Sequence, residues 1–348
     1  PSFAFAWNIN REPWYTATRV LSEAKLRLGW GRVGNQAIAN YQTMSPYSSW
    51  RVGDQSADGV GYEVGIGPSI ISNANLKWET TEQYNAGLDL SFLYGRVRLG
   101  ADFYHKMTKD LLQQKTIAYS SGFTSMYMNQ GAVRNMGFEL TLDATLVSTR
   151  NLSWSVSGNI SVNRNRIMKI GDAGENGDIY VAPGDKRSVN WFYGAPMTSS
   201  GTNMGALNIF IEGQPMGLFY AFKTDGIVQS GETGPGFSLG ETVGEGCIKY
   251  VDVNGNGYID DLDRTVIGDP NPDFTYGFGT AIRWKRLSIS ANFAGSYGND
   301  VYNLNNNSEF KTNQINYNVR RRAVTDAWSP ENPDGRYPAL GKTSATDT

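Results

Sequence analysis

Apolar and polar residues alternate one by one along several segments of the chain. In QYNAGLDLSFL, Tyr84, Leu88 and Phe92 fall on one face and Asp89 falls on the other. A period of two is the signature of a β-strand whose two faces meet different surroundings. After the short break YGR, the alternation resumes at Val97, so the two segments predict a long β-hairpin.

The same pattern returns in three more pairs of segments. GFELTLDATL is followed by LSWSVSGNISVN, and FTYGFGTAIRW by LSISANFAG, each pair across a short turn, whereas SFAFAWNI and AKLRLGWG are joined by a longer link. The sequence therefore predicts an all-β antiparallel fold of eight long strands in four hairpins. The segments between the hairpins, about 35–75, 107–135 and 163–272, are far longer than the roughly 15 residues that structureless loops of compact domains rarely exceed.

Strand length and loop length favour a membrane barrel over a soluble sandwich, although both architectures show alternation. Four of the segments reach the roughly 9 to 11 residues that a tilted strand needs to cross a bilayer. Short turns at one end and long loops at the other are typical of outer-membrane barrels. Aromatic residues near both strand ends resemble interfacial girdles; they are Trp78, Tyr84, Phe92, Tyr94, Trp154 and Trp284.

The polar faces of these strands carry carboxylates that would be misplaced in a dry core. Burying an unpaired carboxylate costs several kcal/mol, whereas a wet lumen solvates it, here with Arg96 or Arg98 as expected partners. The carboxylates concerned are Asp89, Asp102, Glu139 and Asp143. We therefore expect an antiparallel transmembrane β-barrel portion with these faces turned into the lumen.

Composition excludes several functions. The formal net charge of −2 gives no reason to expect nucleic acid as a partner, and the run Arg320 to Arg322 is expected to be a solvated face. A single cysteine, Cys247, and a single histidine, His105, exclude an internal disulfide, a CxxC metal site and a multi-histidine metal site. His105 is expected to be a surface or interfacial ring. The start of the chain shows no signal-peptide pattern, and no window of about 18 apolar residues predicts a membrane-spanning helix.

The stretch DVNGNGYIDDLD, residues 252–263, follows the pattern of a calcium-binding loop. In that pattern the side-chain ligands are spaced along the loop, the seventh residue supplies its carbonyl oxygen, and a glycine forms the bend, here Gly257. The predicted Ca²⁺ ligands are Asp252, Asn254, Asn256, Tyr258, Asp260 and Asp263. Because Asp263 replaces the usual Glu, we expect weak binding, roughly 10⁻⁴ to 10⁻³ M. The alternative is an Asx-turn loop that caps its own backbone.

Several stretches in order along the chain resemble the barrel region of SusC/RagA-type TonB-dependent outer-membrane transporters of Bacteroidetes. They are PSFAFAWNI, KLRLGWGRVGNQAI, LKWETTEQYNAGLDLSFLYGRVRLGADFYHKMTKDLL, NQGAVRNMGFEL, IKYVDVNGNGYIDDLDRTVIGDPNPDFTYGFG, GSYGNDVYN and AWSPENPDGRYPAL. The resemblance implies that residues 1–348 are part of a larger barrel of about 22 strands, without its plug and terminal strands. Residues 163–272 would then be a long extracellular loop region that the ion in loop 252–263 staples at the outer end of the barrel.

The resemblance also implies a function. It predicts a nutrient importer of the outer membrane, in contact with lipid, that takes up oligosaccharides or peptides. TonB would supply energy through the plug, and a SusD-like surface lipoprotein would form the lid. An enzyme is not expected. A glycosidase needs two carboxylates across a cleft, but among 33 acidic residues a pair can always be found, so a pair is no evidence for an enzyme. The alternative is a soluble or surface-exposed calcium-dependent glycan-binding β-protein.

Overall fold

The computed structural model describes residues 1–16, 20–36, 40, 43–52, 63–117, 119–123, 125–171, 174–199, 202–303 and 318–342. Most of these residues lie in strands; the described part also has 3₁₀ turns at Ile9–Arg11, Tyr119–Ser121 and Asp261–Asp263 and a short α-helix, Arg321–Thr325. No helix of this part is long and apolar enough to cross a membrane. The strands are β1 (Ser2–Asn8), β2 (Leu21–Asn35), β3 (Tyr47–Val52), β4 (Glu63–Pro68), β5 (Glu79–Phe92), β6 (Val97–Lys109), β7 (Leu112–Thr116), β8 (Ser125–Asn129), β9 (Ala132–Ser148), β10 (Leu152–Lys169), β11 (Glu175–Ala182), β12 (Asp185–Tyr193), β13 (Pro196–Ser199), β14 (Thr202–Ala206), β15 (Asn208–Ile211), β16 (Leu218–Phe222), β17 (Thr224–Ile227), β18 (Gly234–Pro235), β19 (Thr242–Val243), β20 (Ile248–Tyr250), β21 (Arg264–Gly268), β22 (Phe274–Trp284) and β23 (Leu287–Tyr297).

Eight of these strands form one antiparallel sheet in the order β1-β2-β5-β6-β9-β10-β22-β23. The prediction of eight strands in four hairpins is confirmed, and most of the strands are longer than their alternating segments. β9 has 17 residues and β10 has 18. At about 3.3 Å per residue, such strands exceed the roughly 25 Å apolar band of an outer membrane even when tilted. We call this sheet the wall.

The register of the wall collects its apolar side chains on one face. Phe103 lies opposite Phe138, and Phe278 lies opposite Phe293 with the two rings stacked at 6.4 Å. Phe293 nevertheless remains 61% exposed. A water-soluble sheet would cover such a face, whereas a membrane covers it with lipid. The large side chains exposed on this face include Phe3, Phe5, Leu28, Leu88, Phe103, Phe138, Leu142, Ile160, Phe278, Ile289 and Phe293.

The chain divides into two compact units. The wall unit comprises residues 1–175, 211–215 and 272–298, and the second unit comprises residues 176–210, 216–271 and 299–348. The second unit contains a five-stranded sheet in the order β11-β12-β15-β16-β21. Its buried side chains form a conventional core, which includes Ile179, Ile209, Leu218, Tyr220, Val228 and Ile259.

Residues 163–272, predicted as a long extracellular loop region, contain regular structure. β10 continues to Lys169, and most of the remainder belongs to the folded second unit. Its strands are short, and glycine and proline interrupt them, so no long run with a period of two marks them in the sequence. The other two long segments also contain strands, since β3 pairs with β4 and β7 pairs with β8.

Candidate functional site

The polar face of the wall carries a three-residue ionic cluster formed by Arg27, Asp89 and Asp102. Arg27 Nε and Nη2 each donate to one carboxylate oxygen of Asp89 at 2.8 Å, and Nη2 also donates to Asp102 Oδ2 at 3.1 Å. The three side chains remain 39 to 45% exposed. A two-pronged arginine–carboxylate contact fixes direction as well as charge. The cluster therefore ties β2, β5 and β6 together on a solvated surface.

A glycine makes this cluster possible. Gly87 lies opposite Arg27 on β2 and opposite Asp102 on β6. A Cβ atom at Gly87 would lie 2.8 Å from Arg27 Cζ and would also meet the Asp102 carboxylate. The guanidinium thus crosses above a strand that has no side chain at that position. Any larger residue would force the arginine away from one of its two partners.

Open grooves lie along the same polar face. One groove of about 580 Å³ is lined by residues that include Arg98, Asp143, Ser157 and Asn292. A second, of about 420 Å³, is lined by residues that include Lys25 and Asp143. The hollows occur where the side chains are charged or hydroxylated, and the opposite face presents rings and branched aliphatic groups. This is the expected division between the lumen and the lipid side of a barrel wall.

The expected partners of the lumen carboxylates need one correction. Arg96 donates to backbone carbonyl oxygens, at 3.3 Å to Thr145 and 2.7 Å to Leu146, so it is occupied at the turn. Arg27 is the residue that pairs with Asp89 and Asp102, and sequence reasoning missed it. The reason is that β2 and β5 are separated by a long connection, so the sequence does not fix which residues of the two strands stand opposite each other.

Aromatic residues with satisfied polar groups stand near the strand ends on the apolar face. Trp30 Nε1 and Tyr84 Oη both donate to Glu82 Oε1, at 2.9 and 3.0 Å. His105 lies beside Tyr84, with 6.5 Å between ring centroids. At the short-turn end, Trp154 Nε1 donates to Thr280 Oγ1 at 3.0 Å. Rings with one apolar and one polar side suit the two membrane interfaces.

The loop 252–263 folds around its own backbone. Asp252 accepts hydrogen bonds from the N–H groups of residues 255, 256 and 257, at 2.6, 3.2 and 2.7 Å. Asp263 is fully buried and accepts from Val253, Asn254 and Asp260, at 2.7, 3.2 and 2.7 Å. Gly257 has a φ of +92°, which confirms the glycine bend. This network is the Asx-type capping that the alternative reading of the loop foresaw.

Part of the predicted ligand set is brought together. The Asp260 carboxylate lies 3.4 Å from Asn254 Nδ2 and 3.3 Å from Asn256 Nδ2. Nevertheless, across the described residues no three His, Cys, Asp or Glu side chains are grouped closely enough to hold a metal ion. Oδ1 of Asp252 and Oδ1 of Asp263 each accept two N–H groups, whereas Oδ2 of each accepts one and keeps a lone pair for a cation. The oxygen chemistry of the loop fits Ca²⁺, but Ca²⁺ binding stays a prediction.

Rings and ion pairs stabilise the second unit. Trp191 contacts Tyr193 at 4.9 Å, and Phe192 stacks on Phe210 at 4.8 Å, so these rings anchor strands. In the β11–β12 hairpin, the hydrogen bond from Lys186 holds the pKa of Asp178 below its ordinary value. The hydrogen bond from Arg187 lowers the pKa of Asp185 in the same way.

An antiparallel sheet with one exposed apolar face and one ionic, grooved face defines the wall of a membrane β-barrel. The chain belongs to the TonB dependent receptor-like, beta-barrel family, whose model matches residues 1–232. The barrel is an outer-membrane protein of the SusC/RagA type, in agreement with the sequence-based prediction.

Two curated relatives and one solved structure illustrate the similarity. TonB-dependent receptor P26 of Formosa agariphila is 32% identical over 100% of this chain and 33% of its own length. TonB-dependent receptor SusC of Bacteroides thetaiotaomicron is 31% identical over 100% of this chain and 31% of its own length. The chain thus spans about a third of these relatives, which are named as receptors and not as enzymes. The RagAB peptide importer in its open-open state shares the fold, with a TM-score of 0.72, 24% identity, and coverage of 100% of this chain and 34% of that one.

Proposed function

We propose that the chain is part of the barrel of an importer that takes up oligosaccharides or peptides across the outer membrane. The observation that carries this proposal is the division of the wall into an exposed apolar face and a face with the Arg27 cluster and open grooves. A polar, hollow lumen face suits a hydrated path for polar solutes. TonB would supply the energy, and a SusD-like surface lipoprotein would cover the entrance.

The relatives bear on the type of protein more than on its substrate. SusC lends weight to a TonB-dependent receptor of the same type, and the fold shared with the RagAB peptide importer lends weight to peptides. The polar face presents both ionic groups and neutral hydroxyl and amide groups, so it suits either class of polar solute. We therefore propose that the substrate is either an oligosaccharide or a peptide, and uptake of each class is to be tested separately.

Uptake by cells tests the proposal. The full-length gene would be deleted and restored, and uptake of labelled oligosaccharides and labelled oligopeptides would be measured with and without TonB. We expect one of the two classes to enter only in cells that have both the gene and TonB. Uptake of both classes at the same rate in the deletion strain would contradict the proposal.

The soluble glycan-binding alternative requires a covered apolar face, which the wall lacks. Its test is direct, since a barrel needs detergent for extraction and migrates differently on gels with and without boiling. A lectin of the same sequence would remain in solution without detergent and would migrate at one position.

We also propose that loop 252–263 binds Ca²⁺ weakly and steadies the second unit, to which it belongs. Asp252, Asp260 and Asp263 would supply carboxylate oxygens, Asn254 and Asn256 amide oxygens, and Tyr258 a backbone oxygen. The support is the spacing of these oxygen ligands and the proximity of Asn254 and Asn256 to Asp260. An ion there would offset the repulsion among the carboxylates.

Charge removal with retained shape separates calcium binding from backbone capping. Asp252→Asn with Asp260→Asn keeps an acceptor oxygen on each residue but removes two charges. We expect millimolar Ca²⁺ to protect the second unit of the wild type, but not that of the variant, against proteolysis. In chelator, the second units of the two proteins should be cleaved at equal rates. Asp263→Ala serves as the comparison, because it removes the buried acceptor of three backbone N–H groups and should weaken the unit with or without Ca²⁺. A wild type that chelator leaves unchanged would refute the calcium site.

A further inference from the structure

A row of basic side chains lies on the outward face of the wall, just beyond the aromatic residues at the end that carries the long connections. On β2, Arg32 follows Trp30 on the same face, and on β6, Lys109 follows His105 two positions further along that face. The other strands continue the pattern. The basic row consists of Arg32, Lys109, Arg134, Arg164 and Arg166.

Strand pairing places three of these residues on one line across the wall. Arg32 stands opposite Glu82, Glu82 opposite Met107, Met107 opposite Arg134, and Arg134 opposite Arg166. Neighbouring strands are about 4.8 Å apart, so this line runs for roughly 20 Å across five strands. The row therefore crosses five strands, with Lys109 two residues further toward the long connections and Arg164 two residues nearer the short turns than this line.

The acidic groups near the row neutralise only part of it. Glu82 accepts hydrogen bonds from Trp30 and Tyr84, and Asp273 pairs with Arg164 at 3.0 Å. Arg166 Nε donates to the backbone oxygen of Gly213 at 2.7 Å, a contact that leaves its charge in place. Among the described residues, the carboxylates of Glu82 and Asp273 stand against five basic side chains, so the row is positively charged.

One group in the row lacks a partner within the chain. Arg134 Nε is shielded from water and has no hydrogen-bond acceptor among the described residues. Because this nitrogen is shielded, a group outside the chain could bind Arg134 only through its other guanidinium donors. Arg32, Lys109, Arg164 and Arg166 are exposed.

We propose that the basic row binds phosphate groups of lipids in the outer leaflet of the membrane. The long connections of outer-membrane barrels face the cell exterior, so the row lies where the headgroups of that leaflet begin. Basic side chains at this level attract anionic headgroups, and arginine suits phosphate because its planar donors bind two oxygens at once. The bound lipid would seal the wall at the boundary between its apolar face and water.

Lipid binding to the full-length protein tests the proposal. Protein purified in neutral detergent would be titrated with phosphorylated lipid A, and native mass spectrometry would measure the bound lipid. Dephosphorylated lipid A and inorganic phosphate serve as the comparison ligands. The test variant is Arg32→Gln/Lys109→Gln/Arg134→Gln, and the matched control is Arg150→Gln/Lys285→Gln/Arg286→Gln, which removes three exposed charges at the short-turn end.

We expect the wild type and the control to bind the phosphorylated lipid, with the test variant at least roughly tenfold weaker. Dephosphorylated lipid should bind weakly to all three proteins, and added salt should weaken the wild type. Arg32→Lys/Arg134→Lys, which keeps the charge, should retain most of the binding even if the triple variant fails to fold. Salt-independent binding, or equal affinity for the phosphorylated and the dephosphorylated lipid, would overturn the proposal. If inorganic phosphate bound with the same affinity as phosphorylated lipid A, the lipid itself would not be recognised, and the proposal would also fail.

Discussion

The wall and the second unit solve the problem of hydrophobic burial in opposite ways. In the second unit, Ile209 and Val228 are fully buried, as in a water-soluble domain. In the wall, Phe138 and Leu142 are 44% and 40% exposed although they belong to β9, which pairs with β6 on one side and with β10 on the other. Full hydrogen bonding with bare apolar side chains is stable only where the surrounding solvent is itself apolar. The comparison shows that the solvent around each region decides whether its apolar side chains must be buried.

The largest effect is expected in the core of the second unit. Ile209→Ala should lower the stability of that unit by about 2 to 5 kcal/mol, because Ile209 is fully buried and a cavity would remain. Limited proteolysis of the full-length protein would measure the effect, with cleavage mapped to the two units. Ile267→Ala, at a side chain that is 42% exposed, is the matched control and should change little. If the two variants are cleaved alike, the second unit does not have the core described above.

A somewhat smaller effect is expected from a charge on the lipid side of the wall. Leu142→Arg should cost about 2 to 4 kcal/mol near the middle of the membrane, and Thr141→Arg, the adjacent residue on the lumen face, should cost little. The fraction of protein that shows the unboiled gel shift of a folded barrel would measure both. Equal losses for the two variants would mean that the two faces of β9 do not differ in solvent.

The ionic cluster on the polar face should contribute less. Arg27→Ala should cost about 1 kcal/mol, because the ion pairs are partly exposed and screened, and because Asp89 and Asp102 then repel each other. The cost should shrink as salt is added. Denaturant titration in detergent would measure it, with Lys25→Ala on the same face of β2 as the control. A cost that is independent of salt would point to packing and not to charge.

The smallest effect is expected from the pH dependence of the β11–β12 hairpin. The folded pKa of Asp178 lies below its unfolded value, so the stabilisation by Lys186 is present above the unfolded pKa and is lost as the pH falls through the folded pKa. The loss should therefore occur below about pH 4. Hydrogen exchange of residues 175–193, corrected for intrinsic rates, would measure it. In Lys186→Gln, the part of the stability loss at low pH that Asp178 contributes should disappear. A loss identical to that of the wild type would mean that the Asp178–Lys186 pair is not its source.

Much of the wall could be predicted from the sequence, because its strands are long and alternate without interruption. β22 begins at Phe274 and ends at Trp284, as the alternating segment does. The pairing of β2 with β5 could not be predicted, since about 40 residues separate them, and the role of Arg27 depends on that pairing. The second unit could not be predicted either, because strands such as Asn208–Ile211 are too short to show a period.

The calcium-type loop could be predicted from the sequence only in part. The sequence predicts its bend at Gly257 and its oxygen-bearing residues, and the structure confirms the bend. The complete burial of Asp263 could not be predicted from spacing, because it depends on the packing of the second unit around the loop. The same carboxylate that a pattern assigns to an ion also satisfies three backbone N–H groups.

The most direct test of the wall is a measurement of solvent along β9. In the full-length protein with its native cysteines, Cys247 among them, replaced by serine, single cysteines at residues 136 to 143 would carry spin labels. Their accessibility to oxygen and to a water-soluble nickel reagent would be measured in membranes. We predict that oxygen accessibility peaks at Phe138, Leu140 and Leu142, and that nickel accessibility peaks at Glu139, Thr141 and Asp143. Two profiles that rise and fall together, or that show no period of two, would contradict the assignment of one face to lipid and the other to a wet lumen.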